Sequence, residues 1–160
     1  MAKLKQLGIT KAVVASGPII VKNKKMLVVL DDKDPFLKFP GGSIFKGKSL
    51  KETCKIETKQ EICCDVEILR ETEPLMLWKK PHTGEKIPVV LIHWLAKLKP
   101  GQVPRKGKHT LKILWINSRY KGHKLAPNVK YFLKKLKNPN RAFEQVFFPK
   151  EEKICSVKQK

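Results

Sequence analysis

The chain has 160 residues, 41% of them hydrophobic, and a formal net charge of +21 at pH 7. This length suits one domain with a single core. No run approaches the roughly 18 apolar residues of a membrane helix, which excludes a membrane-spanning protein, and the opening MAKLKQLGIT has no apolar core of signal-peptide length. We therefore expect a cytoplasmic protein without a membrane partner.

The positive charge has two interpretations. A surface this basic attracts polyanions such as RNA over long range. However, only four of the 35 basic residues are arginine, and codon bias alone could produce such a lysine excess. Specific nucleic-acid contacts usually favour the arginine fork over the lysine point charge. Both interpretations stay open at this point.

RNA binding is directly testable. If the charge serves binding, RNA affinity should be measurable by fluorescence anisotropy at low salt. The affinity should fall steeply as salt rises, because displaced counterions drive the association. Lysines should confer little sequence preference. Absence of binding at about 50 mM salt would leave codon bias as the explanation.

The first predicted elements are two buried strands joined by a turn. Residues 11–21 are rich in β-branched side chains, residues 22–25 are polar, and residues 26–30 are apolar, a pattern typical of a hairpin. After a polar loop, residues 36–39 are predicted to form a short strand that leads into Pro-Gly-Gly at residues 40–42. Two glycines allow positive φ and a close approach to a ligand.

A helix is predicted next. Ser49 and Glu52 form an S-x-x-E capping box, which indicates a helix from residue 50 to about residue 63. At 100° per residue, two apolar residues and two carboxylates fall on one line along it: Leu50, Cys54, Glu57 and Glu61. A pair of glutamates beside a glycine loop suits a hard cation, which takes oxygen ligands and in turn holds a phosphate.

The second half of the chain predicts more strands and a last helix. Residues 75–78 and 89–96 bracket a polar tip at residues 81–86 and should pair as antiparallel strands. Because residues 89–96 are nearly all apolar, we expect them at the centre of the sheet. Further strands are predicted at residues 65–72 and 111–116, and a helix at 127–136. Phe143, Val146, Phe147 and Phe148 could dock the tail.

Several side chains have both a structural and a functional interpretation. His93, alone in an apolar strand, is more often a hydrogen-bonded core residue than a ligand. Trp78 could stack on a base, but the core interpretation is favoured. The four cysteines form no C-x-x-C pair and are most simply small apolar side chains.

Residues 39–66 resemble the signature box of the Nudix hydrolases, G-x5-E-x7-R-E-U-x-E-E-x-G-U, where U is a bulky aliphatic residue. Gly42, Glu57 and Glu61 match the pattern, and the preceding Phe-Pro-Gly-Gly is also similar to the family. The chain departs from it where the chemistry is expected: Lys48 replaces the first glutamate, Ile56 the arginine, Gln60 the first of two adjacent glutamates, and Cys63 the closing glycine. The basic loop 100–109 also lacks the acidic residues that many Nudix proteins carry there.

The resemblance implies a fold, a reaction and a site. The fold is an α/β/α sandwich around a mixed sheet, spanning residues 1–138, with a partly docked and partly loose C-terminal extension at 139–160. The reaction is metal-dependent cleavage of the diphosphate of a nucleoside diphosphate linked to another group. Glu57 and Glu61 are the expected catalytic and metal-binding residues for Mg²⁺ or Mn²⁺. Gly41, Gly42, Lys48 and Gln60 are the expected phosphate contacts.

An alternative is a Nudix-like domain with impaired catalysis that binds RNA, a nucleotide or a ribonucleoprotein. Five lysines surround the predicted helix and could contact phosphates without a metal: Lys46, Lys48, Lys51, Lys55 and Lys59. An ordinary solvated helix face explains them equally well. The retained carboxylate pair favours the hydrolase, and the motif specifies neither the base nor the oligomeric state.

Overall fold

The computed structural model describes residues 11–79 and 87–135. Within these ranges the chain forms seven strands and two helices. The strands are β1 (Val13–Lys22), β2 (Lys25–Asp31), β3 (Gly42–Ser43), β4 (Val66–Glu71), β5 (Leu75–Lys79), β6 (Ile87–Leu98) and β7 (Thr110–Ile116). The helices are α1 (Leu50–Ile62) and α2 (Pro127–Lys135).

The strands form one mixed sheet in the order β4-β6-β1-β2-β7, with β3 added to β1 and β5 added to β6. β1 and β6 are parallel, from the pair Val13↔Val89 to the pair Ile20↔Ala96, and the other strand pairs are antiparallel. β6 therefore lies inside the sheet, which confirms the prediction from its apolar run.

The first hairpin forms as predicted. Asn23 and Lys24 both have positive φ, 51° and 60°, the combination of a two-residue hairpin turn whose twist matches that of the strands. β1 and β2 pair only beside this turn, at Val21↔Met26 and Lys22↔Lys25. Further back, the same edge of β1 pairs with β3 at Ala15 and Ser16.

Two buried clusters lie on opposite faces of the sheet, because neighbouring strand residues point to opposite sides. On one face, α2 contributes Val129, Phe132 and Leu133 to a cluster with Ile19, Met26, Val28 and Leu95. On the other, the end of α1 contributes Ile62 to a cluster with Ile20, Leu27, Val29 and Ala96. The three layers confirm the predicted α/β/α sandwich.

The predicted strand at residues 36–39 is wrong. This segment makes only two isolated bridges, between Lys38 and Val29 and between Leu37 and Leu125. Pro40 follows directly and has no N–H to continue a ladder, so the segment cannot extend as a strand. Lys38 nevertheless exchanges two backbone hydrogen bonds with Val29, at 2.8 and 2.9 Å, which anchor the chain before the glycine loop.

The remaining predicted elements form with small changes of boundary. β5 pairs with β6 from Leu75↔Leu91 to Lys79↔Ile87, as predicted. α1 ends at Ile62, with Cys63 as its left-handed C-cap at φ 56°. The polar tip 81–86, residue 136 and the extension 139–160 lie outside the described residues. None of the described helices is long and apolar enough to span a membrane.

The described cysteines are free. Cys54 and Cys64 are buried, and burial raises the pKa of the Cys54 thiol to about 12. Cys54 therefore stays a neutral thiol at physiological pH, consistent with the predicted role of a small apolar side chain.

Candidate active site

The glycine loop crosses close to β1. Gly41 has φ +146°, and a Cβ atom there would lie 2.7 Å from the carbonyl oxygen of Ser16. Position 41 therefore requires glycine both for its backbone conformation and for the close approach. This contact fixes the path of the loop on the sheet.

α1 is anchored at its start on both sides. The Ser49 hydroxyl accepts the backbone N–H of Glu52, and the Glu52 carboxylate accepts the backbone N–H of Ser49 at 2.8 Å, so the predicted capping box is present. The buried Ser16 of β1 donates its hydroxyl to the carbonyl of Leu50 at 2.7 Å. These bonds tie the first turn of α1 to the strand under the glycine loop.

Both predicted metal-binding glutamates face the glycine loop. The Glu61 carboxylate accepts the backbone N–H of Gly41 at 2.9 Å. Glu57 lies so close to Gly42 that a Cβ atom at position 42 would be 2.4 Å from Glu57 Oε1. The structure thus brings together four of the six predicted site residues.

The ionised forms of both glutamates are disfavoured, chiefly by burial. Burial raises the pKa of Glu61 to about 7, and the negative charges of Glu57 and Asp31 add to the increase against the opposing effects of the Gly41 N–H and Lys38. Burial also raises the pKa of Glu57, although Lys33 and Lys38 oppose it. A cation bound between the two glutamates would relieve this unfavourable electrostatics.

Lys38 is a site residue that the sequence analysis missed. Its ammonium forms ion pairs with Asp31 and with Asp34, the latter at 3.2 Å. Burial favours the neutral amine, but these carboxylates outweigh burial and raise the pKa of Lys38. Asp31, in turn, also accepts the backbone N–H groups of Lys33 and Asp34. Lys38 is therefore a fixed positive charge beside the glutamates. Its ion pairs with Asp31 and Asp34 already offset part of that charge.

The loop after β6 closes the other end of α1. The carbonyl of Glu61 accepts the Gly107 N–H at 2.9 Å and the Thr110 hydroxyl at 2.7 Å, and the carbonyl of Ile62 accepts the Arg105 N–H at 3.0 Å. Helix ends leave such carbonyls without an intrahelical partner. Residues 100–109 of this loop include no acidic side chain. The loop instead has a positioning role, because it holds the turn of α1 that carries Glu61.

Gly107 gives a test of this role. A Cβ atom at position 107 would lie 1.8 Å from the carbonyl oxygen of Gln60, so Gly107→Ala must displace backbone. We expect it to lower the free energy of unfolding by about 1–3 kcal/mol, measured by urea denaturation. Gly101→Ala in the same loop is the control: it has positive φ but open space around it, so its loss should be smaller. Equal losses would contradict the positioning role.

The two remaining predicted contacts, Lys48 and Gln60, have exposed side chains. Lys48 is exposed just before α1, with Nζ 3.7 Å from Glu52 Oε1. The Gln60 side chain is exposed as well, and its backbone carbonyl packs against Gly107. Their contact with a substrate phosphate stays a prediction.

The donor set suits one divalent cation. Among the described residues, no three or more histidine, cysteine, aspartate or glutamate side chains are grouped to hold a metal. Glu57 and Glu61 nonetheless offer carboxylate oxygens with raised pKa values. Mg²⁺ commonly takes one or two protein carboxylates and fills its other positions with water and phosphate oxygens. The pair therefore fits a single ion that a substrate would help to bind.

A cavity of about 510 Å³ adjoins the loop and is lined in part by Gly41 and Lys38. Its wall also includes Phe36 and Trp78, whose exposed fractions are 39% and 55%. The prediction that Trp78 fills the core is therefore wrong. β5 pairs with β6 at an edge of the sheet, and the Trp78 side chain of β5 faces the cavity and solvent. The volume is in the range typical of small-molecule sites.

His93 is buried and hydrogen-bonded, as predicted for a core residue. Its Nδ1 lies 3.4 Å from the carbonyl oxygen of Gly17, and its Nε2 lies 3.0 Å from Asn128 Nδ2. Edge-to-face contacts with Phe39 and Phe132 hold the imidazole ring. Both His93 and Asn128 also line the cavity, a role that sequence reasoning missed because the two residues are far apart along the chain.

No model of a known protein family and no curated protein sequence matches this chain. Solved structures, in contrast, are similar to this chain. A MutT Nudix hydrolase from Burkholderia pseudomallei superposes with a TM-score of 0.62 at 18% identity, over 78% of this chain and 97% of that one. The chain has the Nudix fold.

Two further proteins with the Nudix fold are similar to this chain. A C. elegans Ap4A hydrolase superposes with a TM-score of 0.56 at 21% identity, over 67% of this chain and 81% of that one. An ADP-ribose pyrophosphatase from Streptococcus suis has a TM-score of 0.54 at 18% identity, over 72% and 80%. Each of these three superpositions covers at least 67% of this chain.

Proposed function

We propose that the protein is a Nudix-type hydrolase that cleaves the diphosphate of a nucleoside diphosphate linked to another group. The observation that carries the proposal is the glutamate pair, Glu57 and Glu61, held against Gly41 and Gly42 beside a cavity of nucleotide size. The names of two proteins of this fold, an Ap4A hydrolase and an ADP-ribose pyrophosphatase, support it.

Glu57 and Glu61 would hold Mg²⁺ or Mn²⁺. Such an ion, when bound, offsets the charge of the diphosphate oxygens and makes a bound water a better nucleophile. Water then adds to one phosphorus, the bridging P–O bond breaks, and two phosphate-bearing products leave. Two carboxylates can neutralise one divalent cation, so the site suits one ion rather than several.

The chain's own residues contribute positioning and charge. The Gly41 N–H holds one oxygen of the Glu61 carboxylate, which leaves the other oxygen for the cation. Lys38 places a positive charge between Asp31, Asp34 and the glutamates, where it can attract a phosphate. Phe36 and Trp78 offer aromatic surface for a flat ring.

The direct test is a panel of nucleoside diphosphate derivatives incubated with Mg²⁺ or Mn²⁺, with the phosphate-containing products identified by mass spectrometry. We expect metal-dependent cleavage at the diphosphate, with water as the source of the new oxygen. Product formation that is unchanged in EDTA, or no product from any member of the panel, would contradict the proposal.

A second candidate function is supported by a basic groove on the sheet edge. Lys51 and Lys55 of α1, together with Arg70 and Lys99, line a groove of about 650 Å³ that also contains Glu67 and Glu71. Four cations against two anions would favour a phosphate backbone. If this groove binds RNA, Lys51→Glu with Lys55→Glu should weaken RNA binding without changing nucleotide cleavage.

A further inference from the structure

A smaller pocket adjoins the basic groove beside β4. It has a volume of about 280 Å³, and its wall includes Trp115, Leu98 and three lysines, Lys22, Lys97 and Lys99. We call it the tryptophan pocket. Among the described residues that line it, none is acidic. Ammonium groups around an aromatic ring suit a ligand that combines negative charge with a flat ring.

The tryptophan pocket and the basic groove meet at the end of β6. Lys99 lines both of them. Val66 of the groove and Leu98 of the tryptophan pocket are directly paired between β4 and β6. Paired residues on neighbouring antiparallel strands lie within about 5.5 Å of each other. One extended ligand can therefore occupy both pockets.

The walls near this junction are held in place. The Lys99 N–H donates to the carbonyl of Asp65 at 3.0 Å, and the Lys99 carbonyl accepts the Gln102 N–H at 3.2 Å. Across the groove, the ammonium of Lys51 lies over the Trp94 ring, 5.2 Å from its centroid, a favourable cation–π contact. The backbone that carries Lys99 and the charge of Lys51 are thus already positioned, which lowers the entropy cost of binding.

Trp115 is supported by the core and still contributes surface to the pocket. Its side chain is only partly buried and packs against the cluster that contains Ile20 and Ile62. An aromatic ring in such a position can stack on an unpaired base of any sequence, because every base has a π-face. Sites for single strands combine such rings with a positively charged groove that follows the backbone.

The charge of the two pockets favours a polyanion. Six cationic side chains line them: Lys22, Lys51, Lys55, Arg70, Lys97 and Lys99. Two acidic side chains, Glu67 and Glu71, line the groove. Glu67 pairs with Lys97 at 3.2 Å, but both are more than half exposed, so the pair is weak and Lys97 can exchange Glu67 for a phosphate.

We propose that the basic groove and the tryptophan pocket together bind one single-stranded nucleic acid, with lysines on its phosphates and Trp115 stacked on a base. A base in a duplex is already paired, so placing it on Trp115 requires unpairing, which is unfavourable. The inference rests on the second candidate function, RNA binding by the groove, and names the form of nucleic acid that binds. It does not depend on the hydrolase activity.

Fluorescence anisotropy would compare three labelled probes: an RNA of about 10 nucleotides, the duplex that contains it, and the DNA strand of the same sequence. The duplex carries twice as many phosphates, so charge alone would favour the duplex. We expect the RNA strand to bind at least about fivefold more tightly than the duplex, the effect of one stacked base. The two single strands should bind within about threefold of each other, because no proposed contact uses the 2′-OH.

Substitutions of Trp115 test the stacking contact. Trp115→Leu should weaken single-strand binding by about fivefold or more and leave its salt dependence unchanged, because tryptophan has no charge. Trp115→Phe keeps an aromatic ring and should retain most of the affinity. Tryptophan emission should fall on binding in the wild type and fall less in Trp115→Phe. Equal affinities of the two variants would overturn the stacking contact.

The lysines are tested through the slope of log affinity against log salt concentration. Lys22→Gln with Lys97→Gln should reduce the magnitude of this slope by about 1.4, since each phosphate contact of a single strand contributes about 0.7. Lys121→Gln with Lys134→Gln is the matched control, because both lysines are exposed and lie outside the two pockets. Its slope should stay at the wild-type value. Equal reductions would make binding a property of net charge and overturn the site.

The wild-type comparison decides the inference even if a variant does not fold. Duplex binding as tight as that of the single strand, or no binding of either single strand, would overturn it. Single-strand binding that depends on Lys51 and Lys55 but not on Trp115 would overturn the inference and leave the groove as an RNA site. Cleavage of the substrate panel without single-strand binding would leave only the hydrolase proposal standing. Selective single-strand binding without cleavage would do the reverse.

Discussion

Glu61→Gln should lower the turnover of the best substrate in the panel at least about 100-fold, because a bound divalent cation supplies several kcal/mol of transition-state stabilisation. The amide keeps the shape of the side chain, and its oxygen can still accept the Gly41 N–H. Glu57→Gln should have a similar effect. Steady-state kinetics at saturating substrate, with unchanged far-UV circular dichroism, would measure it.

Glu52→Gln is the matched control for these variants. Glu52 lies on the same helix, but its carboxylate accepts the Ser49 N–H in the capping box, and glutamine can fill that role. Its turnover should stay within about twofold of the wild type. If all three variants lost activity equally, a general effect on α1 would explain the losses. If none did, Glu57 and Glu61 would not be the metal-binding pair.

The contribution of Glu61 to the stability of the metal-free protein should fall as pH rises from about 4.5 to about 7. Burial raises the pKa of Glu61 from 4.5 to about 7 in the folded state, so over this window the unfolded chain loses the proton while the folded chain retains it. The contribution of Glu61 to the free energy of unfolding is fully present below pH 4.5 and is lost once pH passes about 7. Glu57, whose pKa burial also raises, adds a change of the same sign.

Urea denaturation in EDTA, across this pH range, would measure the change. Other carboxylates titrate too, and His93, whose pKa burial lowers to about 4, contributes a change of opposite sign. The informative quantity is therefore the difference between the wild type and Glu61→Gln: the stability of the wild type relative to this variant should fall as pH rises. At pH 7.5, Mg²⁺ at about 100 times its dissociation constant should restore about 2.7 kcal/mol, a rise of roughly 5–10 °C in Tm. Glu61→Gln should lose most of that rise. An identical Mg²⁺ response in both proteins would place the ion elsewhere.

The sequence by itself determined the elements that depend on local signals. The capping box at Ser49 and Glu52 predicted the start of α1, and the helical period placed Glu57 and Glu61 on one line, as the structure has them facing one loop. The apolar run of β6 predicted its interior position. These signals lie within a few residues of one another, so no knowledge of the rest of the chain was needed.

The tertiary structure decided the features that join distant segments. The Gly41 bond to Glu61 spans 20 residues, and the His93 bond to Asn128 spans 35. The fold also decided that Trp78 faces a cavity, since a short strand's pattern does not say which face will be covered. The fold likewise decided that Lys38 lies close enough to Glu61 to lower its pKa. Local patterns report the period of a segment, whereas these contacts depend on which segments the sheet order brings together.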